Sequence, residues 1–411
     1  MNKILPLLFS FFITSCSYNS FITGEFVDYI PLINIKNTSS IMEERSTIDA
    51  QLLWSIDIGE SRDFKTGVLQ PAFKDDTAYT IDSDGLVTSI DILSGNINWR
   101  YNLNLNVSSG LCVHNNMLFF GTNDGNFYGY AINRLMSTYN FLDKINITNI
   151  LDKSEIDPDV LIQLKSEASS AAIGVDNLVY IKLDDGDTTA ININNSEIEW
   201  NYKGKNVPLS IKGSGAIAQY SDNIYIPRDD GNIISLKNDT GKLNWLTTIS
   251  PRSGRNELES LRDIEMTPII SDGSLFVGSY QGNLVSIDIF TGDIFWTKSM
   301  SVLSNLSVDD KNVYVSDNSS NVYAIDKYSG RNIWKTSMNG SVNSTQQFLY
   351  DKYTVSLSNE GHIIIIDKAN GKLLSFKTLI GDVDSQARGV MRDKILYIAS
   401  KDGRLNAIKI N

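Results

Sequence analysis

Few residues in this chain are of the kinds that do thiol, acid–base or metal chemistry. Its 411 residues include two cysteines, Cys16 and Cys112, and two histidines, His114 and His362. The histidines stand far apart with no third ligand near either, so ordinary surface histidines fit better than a metal pair. Cys112, in the apolar segment Gly110-Leu111-Cys112-Val113, reads as a small buried hydrophobe rather than a reactive thiol. Asp82-x-Asp84-Gly85 opens like a calcium loop but lacks the later ligands and the closing glutamate, which leaves a tight turn. No residue stands out as catalytic, cofactor-binding or metal-binding, and no cofactor is expected. Lys and Arg number 36 against 48 Asp and Glu, and a net charge of −12 is the wrong sign for neutralising phosphates, so nucleic acid is not an expected partner. A hydrophobic fraction of 42% is ample for a large core and excludes a disordered chain.

Cys16 has a different use. Asn2 and Lys3 precede an apolar run over residues 4–13, broken only by Pro6 and Ser10, which is the positive and then apolar order of a secretory signal. So short a run covers roughly half of the ~20 residues that a transmembrane helix needs. It ends in Ile13-Thr14-Ser15-Cys16, which resembles the lipobox of bacterial lipoproteins. The resemblance implies a signal peptide over 1–15 and a palmitate-bearing Cys16 freed by cleavage. Acyl chains contribute ~0.8 kcal/mol per buried methylene, enough for several to hold a protein at a membrane. Ser17, where an inner-membrane retention signal has Asp, favours the periplasmic face of an outer membrane. A plain signal peptide that happens to contain a Cys is the alternative. Residues 16–48, polar and without a sustained period, read as a flexible tether, and residues 49–411 as the folded domain.

What positions the remaining residues is a repeat. From Gly85, an Asp follows at +6 (Asp91), a Gly at +10 (Gly95) and a Trp at +14 (Trp99). The same ruler leads from Gly186 to Trp200, Gly231 to Trp245, Gly282 to Trp296 and Ser320 to Trp334, with degenerate copies from Gly125 to Tyr139 and from Gly361 to Ser375 beside Phe376. Successive slots, ending at Gly403, are 40, 61, 45, 51, 38, 41 and 42 residues apart, the period of a four-stranded propeller blade. One unit has strands at 268–270, 274–279, 284–289 and 294–298, and Asp-Gly pairs such as Asp84-Gly85 suit the tight hairpin between the second and third. The last copy stops at Asn411 without its fourth strand, whereas Trp54 precedes the first slot with no third strand before it. An N-terminal strand completing the C-terminal blade closes an all-β, eight-bladed propeller with no open ends. Trp54, Trp99, Tyr139, Trp200, Trp245, Trp296 and Trp334 then pack between blades. The long spacing after Gly125 holds an insertion, 140–170, in which residues 159–165 have helical apolar spacing and are expected to pack on the rim.

The repeat Ala324-Ile325-Asp326-Lys327-Tyr328-Ser329-Gly330-Arg331-Asn332-Ile333-Trp334 resembles the tryptophan-docking motif of pyrroloquinoline-quinone propellers, a superfamily of both dehydrogenases and scaffolds. The dehydrogenases' vicinal disulfide and haem motif are absent, and their calcium-ligand and catalytic-Asp pattern is not recognisable. Two stretches narrow the resemblance. Pro208-Leu209-Ser210-Ile211-Lys212-Gly213-Ser214-Gly215 and the acidic loop from Asn256 to Thr267-Pro268 are similar to loops of the BamB family, lipoproteins of the β-barrel assembly machinery of Gram-negative outer membranes. This implies a non-enzymatic scaffold that binds a periplasmic POTRA domain of BamA alongside other lipoproteins of that machinery, possible handling of unfolded outer-membrane proteins, and Leu209, Ile211, Lys212, Asp263 and Glu265 as contact residues. Lys212 stands where the family has Arg and does not reproduce a bidentate fork. Asn256-x-x-Glu259 resembles a capping box, so one helical turn is expected there. A quinone-dependent dehydrogenase and a scaffold of another envelope complex are the alternatives.

Overall fold

The structure, a computed structural model, describes residues 48–59, 70–144, 156–205, 207, 209–210, 215–251, 255–259, 261–338, 344–383 and 389–411. These form eight four-stranded antiparallel sheets. Blades 1 to 7 span residues 72–102, 112–163, 173–202, 218–248, 269–299, 307–337 and 344–378. Blade 8 takes three strands from 390–410 and its fourth, β1 (Ala50–Asp57), from the other end of the chain. β1 pairs antiparallel with β32 (Arg404–Ile410), Ala50 opposite Ile410 and Asp57 opposite Arg404, so the ring is closed as the repeat predicts. First strands of neighbouring blades touch one another, which puts them at the centre and the fourth strands at the rim.

Burial explains the texture of the sequence. Second and third strands, such as Ser274–Gly278 and Asn283–Asp288, are buried at four consecutive positions because neighbouring blades cover both faces. In the rim strand Ile294–Ser299, Trp296 alone is fully buried. It sits opposite Ser286 where the register shifts, and the same bulge recurs beside Trp99, Trp200, Trp245 and Trp334. A bulge bends the strand and re-aims the side chain, here toward the next blade.

There five of the six indoles find a tailored seat. Trp54, Trp200, Trp245, Trp296 and Trp334 lie against Gly95, Gly241, Gly292, Gly330 and Gly371, the glycines of the following blades' third-to-fourth turns. A Cβ added to any of these glycines, all at positive φ, would fall within 2.8 Å of the ring. Four indoles also donate Nε1–H to a carbonyl of that turn: Trp200 to Asn238 (2.9 Å), Trp245 to Ile289 (3.0 Å), Trp296 to Lys327 (2.9 Å) and Trp334 to Lys368 (2.8 Å). Ser375 occupies the same register position in blade 7, opposite Ile365. The next blade has no such turn, because the chain ends meet there, and Ser375 and Lys377 instead hold Asp49 just before β1.

Two expectations around the insertion are corrected. Tyr139 is not in a rim strand but in helix α1 (Ile132–Lys144), which replaces the turn of blade 2; the slot residue is Val160, opposite Gly129. Tyr139 still packs, half-buried, against the core between blades 1 and 2. The segment 159–165 is not helical: Val160–Gln163 is the fourth strand of blade 2, with alternate residues buried. Its period was masked because Leu161 is an exposed apolar residue on the rim side. Cys16 and the rest of residues 1–47 lie outside the described residues; Ile48, the first described, is buried.

A candidate docking face built from two loops

In each blade the first-to-second and third-to-fourth connections share one face of the ring, and the second-to-third and fourth-to-first connections share the other. The two stretches singled out in the sequence are both fourth-to-first connections, over residues 203–217 and 249–268, so they lie on one face around blades 3, 4 and 5. β1 starts beside Ile410, at the third-to-fourth end, so the chain enters the ring on the opposite face.

The first loop is held at its base by polar contacts. Gly204 N donates to Asp187 Oδ1 (2.8 Å), and Ser210 Oγ donates to Asp229 Oδ2 (3.0 Å). Asp229 also pairs with Lys182 Nζ at 3.3 Å, the lysine side chain being 5% exposed. Burial alone would raise the Asp229 carboxyl's pKa, but the Lys182 ammonium, the Ser210 hydroxyl and Arg228 outweigh it and hold it below the usual carboxylate value. Blade 3 thereby grips blade 4 beside Ser210, whose neighbour Leu209 is half-buried. Ile211 and Lys212 lie outside the described residues.

The second loop opens with the expected capping contacts but makes a turn rather than a helix. Glu259 N donates to Asn256 Oδ1 (2.9 Å), and Arg255 N donates to Glu259 Oε2 (2.9 Å). Arg262 Nη1 closes the turn on the carbonyls of Glu259 (2.9 Å) and Leu261 (2.6 Å), leaving Leu258 exposed at the tip. Beyond it the chain is sewn across two blades: Ile264 N donates to Arg228 O (3.3 Å) in blade 4, and Asp263 O accepts from Tyr280 N (2.9 Å) in blade 5. Ile264 and Met266 enter the largest core cluster.

The two loops meet. Gly215 approaches so closely that an added Cβ would lie 2.7 Å from Ile264 O and 3.1 Å from Glu265 C, and Ala216 N donates to Thr267 Oγ1 (3.3 Å). At this junction Asp263 is 0% and Glu265 3% exposed. Both side chains are therefore inside the loop assembly, not on its surface. Leu209, Ser210, Asp263 and Glu265 are thus drawn to one region from positions more than 50 residues apart. Sequence reasoning missed Lys182 and Asp229. A signal existed: Lys182 ends a second strand at the place where other blades have Ile81, Gly121, Pro227, Gly278 and Ser316.

The other residues considered for chemistry have structural partners. Asp82 Oδ1 accepts from Asp84 N (3.0 Å) and Leu86 N (2.7 Å), closing its own hairpin. His114 Nε2 bonds Asp176 O (2.8 Å) across blades 2 and 3, and His362 Nδ1 bonds Thr378 Oγ1 (2.6 Å) in blade 7. Burial pushes the Cys112 thiol up to about 12, so the thiolate is scarce at neutral pH.

A family model described as outer membrane protein assembly factor BamB matches residues 46–144 and 161–336. Curated relatives carry the same description: the protein of Yersinia pestis is 24% identical over 355 residues, covering 86% of this chain and 88% of the relative. That of Shewanella oneidensis is 24% identical over 399 residues, covering 90% and 92%. Among solved structures, BamB from Moraxella catarrhalis superposes with a TM-score of 0.74 at 20% identity, covering 88% of this chain and 100% of that one. A quinohemoprotein alcohol dehydrogenase from Comamonas testosteroni reaches 0.60 at 12% identity, covering 88% and 76%, a likeness of fold alone.

Proposed function

This chain belongs to the BamB family of outer membrane protein assembly factors, and from that premise we propose that it is a non-enzymatic scaffold lipoprotein of the β-barrel assembly complex. In this reading Cys16 carries the lipid that holds it at the periplasmic face of the outer membrane. The ring binds the periplasmic POTRA region of BamA and assists insertion of β-barrel proteins.

The observation that carries the docking site is the junction of the two loops. Connections on a rigid β-scaffold are where binding concentrates, and the described parts of both are bonded to blades 3, 4 and 5, which lowers the ordering entropy to be lost there on association. Leu209, Ile211 and Lys212 are proposed as the contact residues. Asp263 and Glu265 belong to the same site but act from inside, holding the loops in shape. Because the chain enters on the opposite face, membrane attachment leaves the docking face free to meet its partner.

The test is capture of the BamA POTRA region by purified protein. A half-buried apolar anchor at the centre of an interface is commonly worth 2 kcal/mol or more, so Leu209→Asp is expected to weaken binding by roughly 30-fold or more with the thermal midpoint unchanged. Undiminished capture by the folded variant overturns the proposed site.

A further inference from the structure

Blade 1 retains two donors whose partner in other blades is missing. In blade 4 one turn carbonyl, Asn238 O, accepts from both Tyr180 OH (3.1 Å) and Trp200 Nε1 (2.9 Å) of blade 3. In blade 5, Ile289 O accepts in the same way from Tyr225 OH (3.3 Å) and Trp245 Nε1 (3.0 Å) of blade 4. Blade 1 has the same pair, Tyr79 and Trp99, with ring centroids 6.1 Å apart against 5.7 and 5.9 Å in blades 3 and 4. Its neighbour, blade 2, has helix α1 in place of the turn. The residue aligned with Asn238 and Ile289 is Ile132, the first residue of that helix, whose carbonyl is committed to the helical ladder.

The helix supplies the apolar half of the lost contact and not the polar half. Leu135 and Ile132 share the core cluster of Trp99, which is only 3% exposed. Yet among the described residues neither Trp99 nor Tyr79 has the carbonyl partner found in blades 3 and 4; the Trp54 indole of blade 8 lacks one too, but it is buried against Gly95 rather than open to a groove. Both line a groove of about 380 Å³ between blade 1 and α1, on the face where the chain enters the ring. The other walls carry the carboxamides of Asn98, Asn116, Asn133 and Asn140, groups that both donate and accept. Lys74 and Asp75 at the groove cancel in charge, which favours a neutral ligand over an anion.

We infer that this groove is a binding site for a polypeptide backbone, with a peptide carbonyl of the bound segment taking the bonds from Trp99 Nε1 and Tyr79 OH that a blade turn takes elsewhere in the ring. The chemistry of the occupant is read from the molecule itself: between the same two donors of blades 3 and 4 lies a peptide carbonyl of the following blade. Both donors open on the groove, and a peptide carbonyl there gives them the acceptor that the turns of blades 4 and 5 supply to their neighbours. Of the lining carboxamides, Asn116 Oδ1 accepts from Lys74 Nζ (2.7 Å). The site is remote from the two loops and does not depend on their role.

The experiment uses the folded protein with 15N-labelled tryptophan and the acetylated, amidated peptide of residues 236–243, the turn that carries Asn238. Trp99→Phe assigns the Trp99 indole signal. The expected result is a saturable downfield shift of that proton at millimolar peptide, with the other five indoles unmoved. The shift is lost in Met136→Arg, whose exposed side chain fills the groove without entering the core. Three results overturn the inference: no shift, a shift that survives Met136→Arg, or one produced equally by chitotriose. So does an indole proton already downfield and protected from exchange in the free protein, which means the chain fills its own groove.

Discussion

At the scale of single residues, the Lys182–Asp229 pair is the side-chain contact beneath the docking face that responds to pH. The Asp229 carboxyl is held below its usual value, so its contribution is fully present above the unfolded carboxylate pKa of ~3.9 and disappears as pH falls through the folded value. Asp229→Asn is expected to lower stability by roughly 1–3 kcal/mol at pH 7, less than the ~3–5 of a fully buried pair because the Asp229 side chain is 27% exposed. Denaturant titrations of both proteins check this: the gap should be widest at neutral pH and close below pH about 4. A gap independent of pH assigns the loss to packing instead. The buried positions of Asp263 and Glu265 were not legible in the sequence, where an acidic loop reads as solvated. They sit where Gly215 and Ala216, about 50 residues earlier in the chain, pack on the 264–267 segment, which no local pattern encodes.

At the scale of elements, the turn between third and fourth strands decides how blades adhere. Gly292 has φ 80°, and its missing Cβ leaves room for the Trp245 indole, whose atoms come within 2.8 Å of where that carbon would be. Gly273 has a similar φ of 74° but nothing within 4 Å of its Cβ position. Alanine at Gly273 therefore measures backbone strain alone, about 1 kcal/mol, and alanine at Gly292 should cost about two to three times that, some degrees in thermal midpoint. Equal melting of the two variants would show that the indole seat contributes nothing. The repeat of Gly, Asp, Gly and Trp was readable from spacing because each blade meets the same neighbour in the same way. It failed at Tyr139 and at 159–165, where an inserted helix moves the fourth strand downstream and leaves Val160 in the slot.

At the scale of the whole molecule, one strand from the N-terminus holds the ring shut. β1 buries Ala50 against blade 8, and Trp54 seats on Gly95 of blade 1, so it joins the last blade to the first. A protein beginning at residue 48 is expected to melt as the full chain does. One beginning at residue 58 leaves blade 8 with three strands, an unpaired edge and an empty seat on Gly95, and is expected to lose its cooperative transition and to aggregate. Scanning calorimetry and gel filtration of the two truncations check this; an unchanged transition in the shorter protein rules out closure by β1 as a source of stability. The same strand sets the polarity of the ring, since the chain enters on one face and the two loops project from the other.

The sequence by itself determined the eight-fold repeat, the closing strand and the slot of every Trp, because those features depend on a local period that recurs in each blade. It also carried the family, whose model matches residues 46–144 and 161–336. The tertiary structure alone decided that the two loops meet, that Lys182 and Asp229 bind blade 3 to blade 4, and that Trp99 and Tyr79 face a groove where the same donors of blades 3 and 4 meet a carbonyl. Each of these depends on what an adjacent blade presents, and contacts between blades are fixed by closure of the ring rather than by neighbours along the chain.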